Sequence, residues 1–309
     1  MATSAVLGFP RIGPQREVKK ALEAYWGGKI SADELLKTAK EQRLNTYKTI
    51  NENGVDFVPT GTFSLYDHVL DMSNTLGIIP EQYSKAGLSN LDTYFAMARG
   101  HQKDGVDLPA TEMKKWFDSN YHYLVPEFTE SSSFSLHDLK PVEDFVEAKE
   151  AGYNARPVLV GPITLLWLGK VGKNAKDPNF NVFSLLPKLA EQYAALLKKL
   201  ADAGATWVQI EEPILVLDKA AELANEFQTT YEQLHQAAPS LHLLVTTYFG
   251  RLEENVEIVK KLPIAGVHID LDRAPDQLEP VLAALKGTQI GLSLGLVSGR
   301  NIWKTDLAA

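Results

Sequence analysis

With 309 residues, 45% of them hydrophobic, the chain is long enough for one large domain or two small ones and carries enough apolar side chains for a sizeable core. Its 39 acidic against 31 basic residues give a formal net charge of −8, which argues against general nucleic-acid binding and leaves any anion site to local clusters. The absence of cysteine excludes disulfides, thiolate zinc ligands and cysteine nucleophiles within this chain.

The start, Met1-Ala2-Thr3-Ser4, runs straight into an apolar stretch and lacks the basic region and long apolar segment of a secretory signal, so a cytoplasmic protein is expected. Apolar runs such as residues 159–168 are too short to span a bilayer and are broken by Gly161 and Pro162, so no membrane partner is expected. Short apolar or β-branched runs alternate with longer segments of helical periodicity, the signature of βα units around a parallel sheet. Eight candidate strands, at residues 5–8, 55–60, 121–126, 157–161, 207–211, 242–246, 266–270 and 290–294, suit a (β/α)8 TIM barrel. The expected class is α/β, one barrel over residues 1–309 with extra helices between the first three strands. An open doubly wound sheet is the runner-up, but no Gly-x-Gly-x-x-Gly follows the first strand.

After the first strand, Gly13 and Pro14 suit the N-cap and first turn of a helix, which predicts a helix over 15–26. At 100° per residue Val18, Ala21, Leu22 and Tyr25 share one side of it while Arg16, Lys19 and Lys20 share the other. A helix start offers free N–H groups and partial positive charge, so Arg16 and Lys19 there would suit carboxylates or phosphates. The same cations equally suit the solvated face of an amphipathic helix. A second helix is expected over 31–51, opened by a capping box at Ser31-Ala32-Asp33-Glu34. A helix near 91–98, a loop over 100–109 and the segment 112–117 precede the third strand. Residues 170–181 read as an exposed loop, and 187–203 as a helix with Leu186, Leu189, Tyr193, Leu196 and Leu197 as its buried stripe.

Barrel chemistry sits at the C-terminal ends of strands. The sequence places there Arg11; Ser64, Tyr66, Asp67 and His68; Lys114, Lys115, Asn120 and Glu127; Glu211 and Glu212; Thr246, Thr247 and Tyr248; His268 and Asp270; and Ser298, Gly299, Arg300 and Asn301. Several carboxylates in that set invite a glycosidase reading, an autonomous carboxylate-based hydrolase. Glu211 and Glu212 are strand neighbours, however, so their side chains diverge and at most one faces a site; the other would hydrogen-bond loop backbone or an arginine. The seven histidines include no His-Glu-x-x-His and no His-x-His pair, so no metal site is expected in this chain. There is no Gly-x-Ser-x-Gly elbow and no phosphate-cradling P-loop. On these residues alone an anion-binding barrel is better supported than a self-contained catalyst.

Leu7-Gly8-Phe9-Pro10-Arg11-Ile12-Gly13, Arg16-Glu17-Val18-Lys19-Lys20, Tyr66-Asp67-His68-Val69-Leu70, Lys115-Trp116-Phe117 and Asn120-Tyr121-His122-Tyr123 form an ordered series of motifs. Gln209-Ile210-Glu211-Glu212-Pro213, Thr246-Thr247-Tyr248-Phe249 and Gly299-Arg300-Asn301-Ile302-Trp303 continue it. Together they resemble the amino-terminal half of cobalamin-independent methionine synthase. The resemblance implies two face-to-face barrels, of which this chain is the first, and a reaction that moves a methyl group from 5-methyltetrahydrofolate polyglutamate to homocysteine. It implies zinc in the second barrel, on histidine, glutamate and cysteine ligands, with no cobalamin and no metal or catalytic residue in this chain. The isolated chain is therefore expected to be inactive, with the folate and the carboxy-terminal barrel as its partners. Carried over by motif, the ligands of the folate tail are Arg16, Glu17, Val18, Lys19, Lys115 and Asn120, with Val18 expected to supply backbone or packing and Glu17 to orient a neighbouring cation. A scaffold supporting the catalytic half is the other role the resemblance leaves open.

Overall fold

The computed structural model describes residues 2–103 and 105–306; the remaining residues of the expected 1–309 domain lie outside the description. Six strands form one parallel sheet in chain order: β1 (Val58–Thr60), β2 (Ala155–Val160), β3 (Trp207–Glu211), β4 (His242–Thr246), β5 (Gly266–Asp270) and β6 (Gly291–Gly295). Each pairs in parallel with the next, Val160 opposite Glu211, Thr246 opposite both Glu211 and His268, and Asp270 opposite Gly295. A sheet whose order never reverses is singly wound, so right-handed crossovers place the helices on one face and the sheet curls around the other. A doubly wound sheet needs a reversal of strand order, and this sheet has none. The architecture is α/β and TIM-barrel-like, a parallel half-barrel.

Outward-facing Val208 and Ile210 of β3 are fully buried, in one core with Leu189, Tyr193, Leu196 and Leu197 of the helix Leu186–Asp202. The Tyr193 hydroxyl donates to the carbonyl of Val160 at 2.7 Å, pinning that helix to β2. The extra helices expected early in the chain are present at His68–Thr75, Glu81–Ser84 and Asn90–Arg99. The helix Ala32–Glu52 starts on the expected capping box, Ser31 Oγ accepting from Glu34 N and Glu34 Oε2 from Ser31 N.

Two of the eight expected strands are not strands of the sheet. Residues 5–8 contribute a single parallel bridge, Ala5 to Phe57. In 121–126, His122–Leu124 pairs antiparallel with Met113–Lys115 instead. The reason is positional: β1 pairs directly with β2, Val58 against Ala155, which leaves no edge between them for another strand. The expected loop over 100–109 is a hairpin, His101–Lys103 with Val106–Leu108, in which Val106 and Leu108 turn inward and Asp107 outward. In the loop expected over 170–181, Lys170–Val171 pairs with Glu127–Phe128.

Candidate functional site

The basic corner begins later than its glycine and proline suggest. The helix runs Glu17–Trp26 with Arg16, not Gly13, as its N-cap, and no side chain caps it. Gly13 at φ +83° turns the chain so that its carbonyl accepts from Arg16 N at 3.0 Å, and Ile12 O accepts from Val18 N at 3.2 Å. These bonds hold Arg16 itself at φ 61°, a left-handed conformation that costs a non-glycine residue about 1–2 kcal/mol. Glu17 folds back over the turn: its Oε2 accepts from Gln15 N at 3.0 Å, and a Cβ on Gly13 would stand 2.1 Å from that oxygen. Glu17 thus fastens the loop. Val18 is buried with Ala21 and Leu22, while Arg16 and Lys19 are exposed, so the two faces separate as the periodicity predicts.

Lys19 lies 3.7 Å from Glu23, one turn on; among the described residues no acid pairs with Arg16 or Lys115. Lys115 sits in the antiparallel hairpin opposite His122, and exposed Asn120 lies in its connecting turn. Arg11 ties this hairpin to the basic corner by donating to the Tyr121 hydroxyl at 3.2 Å and to the Tyr66 carbonyl at 2.5 Å. Arg16, Glu17, Val18 and Lys19 therefore stand on one segment, and Lys115 and Asn120 on another that Arg11 links to it. None of the six lines the cavity at the end of the sheet.

That cavity, about 480 Å³, opens at the C-terminal ends of the strands. Of the strand-end residues singled out by sequence, Arg11, His68, Glu211, Tyr248, His268, Asp270, Gly299 and Arg300 line it. Glu211 and Glu212 diverge as strand neighbours must. Glu211 turns inward, accepting from the Tyr248 hydroxyl at 2.8 Å and from Gln209 Nε2 at 3.1 Å. Glu212 is fully buried and caps the helix Pro162–Leu168, accepting from Ile163 N at 3.2 Å and Thr164 N at 2.7 Å. Gly161 makes room for it, since a Cβ there would fall 2.2 Å from the Glu212 carboxyl carbon.

Beneath Glu211 runs a polar chain that strand-end reasoning missed. Arg156 Nη2 donates to Gln209 Oε1 at 2.9 Å, which fixes the amide so that its nitrogen faces Glu211. Gln209 in the expected strand over 207–211 was the available signal, since residues two apart share a face, whereas Arg156 lies just before the expected strand over 157–161. Asp71 and Thr75 also line the cavity, supplied by the helix His68–Thr75, and Lys140 joins them from the helix Lys140–Glu150.

Burial governs the protonation of this interior. It lifts the Asp67 carboxyl to about 7 against three backbone N–H donors, from Val69, Leu70 and Leu124. It also lifts Glu211 to about 6 and Glu212 to about 7. The same cause lowers the imidazoles: His68, with Arg11 adding repulsion, to about 3, and His268 to about 4. His268 Nδ1 lies 2.8 Å from Ser293 Oγ.

The family model for the N-terminal domain of cobalamin-independent synthase matches residues 3–309. A Saccharomyces cerevisiae protein named 5-methyltetrahydropteroyltriglutamate–homocysteine methyltransferase is 48% identical over 99% of this chain, and a Schizosaccharomyces pombe protein named for the same reaction is 53% identical over 99%. The chain spans about 40% of the length of either relative. Among solved structures, a Listeria monocytogenes protein described as a vitamin-B12-independent methionine synthase superposes with a TM-score of 0.62 at 17% identity, covering 98% of this chain and 81% of that one. A B12-independent methionine synthase from Shewanella sp. W3-18-1 gives 0.59 at 15% identity, covering 86% and 72%. These two likenesses speak to the barrel fold.

Proposed function

From the premise that this chain belongs to the N-terminal-domain family of cobalamin-independent synthases, we propose that it is the barrel that holds the folate tail in a methionine synthase. In this reading the full-length protein transfers a methyl group from 5-methyltetrahydrofolate polyglutamate to homocysteine, in the cytoplasm, and the transfer itself takes place on the part of the relatives that this chain does not span. Among the described residues no helix is long and apolar enough to cross a membrane.

The observation that carries the reading is the unpaired charge at the basic corner. Arg16 and Lys115 are exposed cations with no acid against them among the described residues, and Lys19 stands one turn along the same helix face. Relatives are named for a triglutamate substrate, whose tail presents several carboxylates on a flexible chain. Arg16, Lys19 and Lys115 meet those carboxylates as charged hydrogen-bond donors, helped by the free N–H groups of the helix start. Asn120 adds an amide donor, Glu17 holds the turn that presents Arg16, and Val18 anchors the helix to the core. The family implies zinc, yet among the described residues no three acids or histidines are grouped to hold a metal, and the chain has no cysteine. Zinc does not fit here.

A docking role for the same barrel is supported by the exposed apolar side chains that follow β6, of which Val297 lines the cavity. Leu296 and Val297 are each 63% exposed, Ile302 91% and Trp303 78%, a concentration suited to burial against a second barrel of the longer protein.

Titration calorimetry of this chain with tri- and monoglutamyl 5-methyltetrahydrofolate tests the tail reading. Binding should depend on tail length and should weaken about tenfold or more in the Arg16→Ala, Lys19→Ala variant. Equal binding of both ligands, unchanged in the variant, would overturn it.

A further inference from the structure

The cavity at the end of the sheet is left unused by the tail reading, since none of the six tail residues lines it. Its charges are not balanced against each other. Lys140 is committed to Asp144 at 2.7 Å and lies 3.5 Å from Asp71, Arg300 meets Asp272 at 3.1 Å, and Arg11 is engaged with Tyr66 and Tyr121. Among the described residues the two carboxylates on the β3 to β5 side have no cation partner. Glu211 receives only the Tyr248 hydroxyl and the Gln209 amide. Asp270 receives only backbone N–H groups, from Phe249 at 2.9 Å, Asp272 at 3.1 Å and Arg273 at 3.0 Å. Neither forms an ion pair with any described residue.

The walls around these acids are aromatic. Trp116, Tyr248 and Phe249 line the cavity, with Tyr248 and Phe249 edge to face at 4.8 Å and Trp116 6.4 Å from Tyr248. Thr75 lines it too; it is 1% exposed, and its hydroxyl has no hydrogen-bond partner. A metal ion would need several oxygen ligands around one point, and no such group occurs among the described residues. A cation that carries its own N–H donors and an apolar body answers both carboxylates and rings.

We propose that this cavity binds a small organic ammonium compound, its charged amine directed at Glu211 and Asp270 and its apolar body against Trp116, Tyr248 and Phe249. The amine is the shared chemistry of two sources, a simple alkylamine and a zwitterionic amino acid, and the latter would also use the donors of Arg11 that Tyr66 and Tyr121 leave free. The site is independent of the tail corner and survives the failure of that reading.

Calorimetry of this chain in an amine-free buffer with pentylamine, norleucine and N-acetylnorleucine tests the assignment. Pentylamine, norleucine or both should bind, norleucine alone marking an amino-acid site, while N-acetylnorleucine, which has the same body without the charge, should not. Glu211→Gln keeps the size and an oxygen acceptor for Tyr248, and it should weaken binding about tenfold or more. The Arg16→Ala, Lys19→Ala variant should bind these compounds as the parent does. Failure of both amines to bind at millimolar concentration, or equal binding of the acetylated compound, would overturn the proposal even if Glu211→Gln did not fold.

Discussion

The basic corner and the cavity both concentrate charge, and they differ in what solvates it. Arg16, Lys19 and Lys115 stand in water, held by little besides a helix start and a hairpin. Glu211, Glu212 and Asp67 sit within the protein, and hydroxyls, an amide and backbone N–H groups replace their water. The first arrangement leaves stability almost untouched and makes affinity depend on salt; the second ties charge to the fold and makes its protonation depend on burial. A side chain can be removed freely from one region and not from the other.

The sharpest way to break this contrast is to delete one member of each. Glu212→Ala leaves the N–H groups of Ile163 and Thr164 buried without an acceptor, at about 1–3 kcal/mol for each group. Its urea midpoint should fall markedly, whereas Lys19→Ala should stay within about 0.5 kcal/mol of the parent. Equal losses would mean that the corner is as much a part of the fold as the cap.

A smaller effect concerns pH. Asp67, Glu211 and Glu212 are lifted to about 7, 6 and 7, so the fold favours their protonated forms, and the stability they contribute is lost as pH rises from the ordinary carboxylate range through 6–7. His68 and His268 are lowered to about 3 and 4, so their contribution is present above the ordinary imidazole value and lost as pH falls through 4 to 3. Between about pH 4.5 and 6.5 the two sets oppose each other. A His68→Gln, His268→Gln variant should therefore lose melting temperature more steeply than the parent as pH rises across that window. Parallel profiles would show that these buried groups do not govern the pH response.

Arg16 sharpens the comparison, because it is strained as well as exposed. Arg16→Gly removes the left-handed penalty and should raise stability by up to about 1 kcal/mol in a thermal melt while weakening triglutamate binding. A loss on both measures would assign the side chain a structural role. The least effects belong to the hairpin: Lys115→Ala should cost triglutamate affinity a few-fold, in a salt-sensitive manner, and Asn120→Ala less than that, read by the same calorimetry at low and moderate salt. An Asn120 effect larger than that of Lys115 would reverse their assigned order.

Much of this was visible in the chain itself. Period-two alternation separated Glu211 from Glu212 before any fold was known, and the 100° step of the first helix separated Val18, Ala21 and Leu22 from Arg16 and Lys19. The capping box at Ser31 and six of the sheet strands rest on similarly local patterns. Such features depend on each residue's own conformation and its neighbours within a turn or two, so they survive without knowledge of the rest of the chain. Tertiary structure decided the others. Residues 121–126 are as apolar as a barrel strand, but β1 and β2 pair directly with each other, and His122–Leu124 pairs with Met113–Lys115 instead. The helix start moved from Gly13 to Arg16 because the carbonyls of Ile12 and Gly13 and the carboxylate of Glu17 closed a turn there. The cavity joins Arg11, Thr75, Glu211 and Asp270 from segments far apart in sequence, a loop, a helix and two strand ends that only the tertiary fold brings together. Local periodicity chooses which face a side chain takes, while the competition among distant segments for the same hydrogen-bonding edge chooses what that face meets.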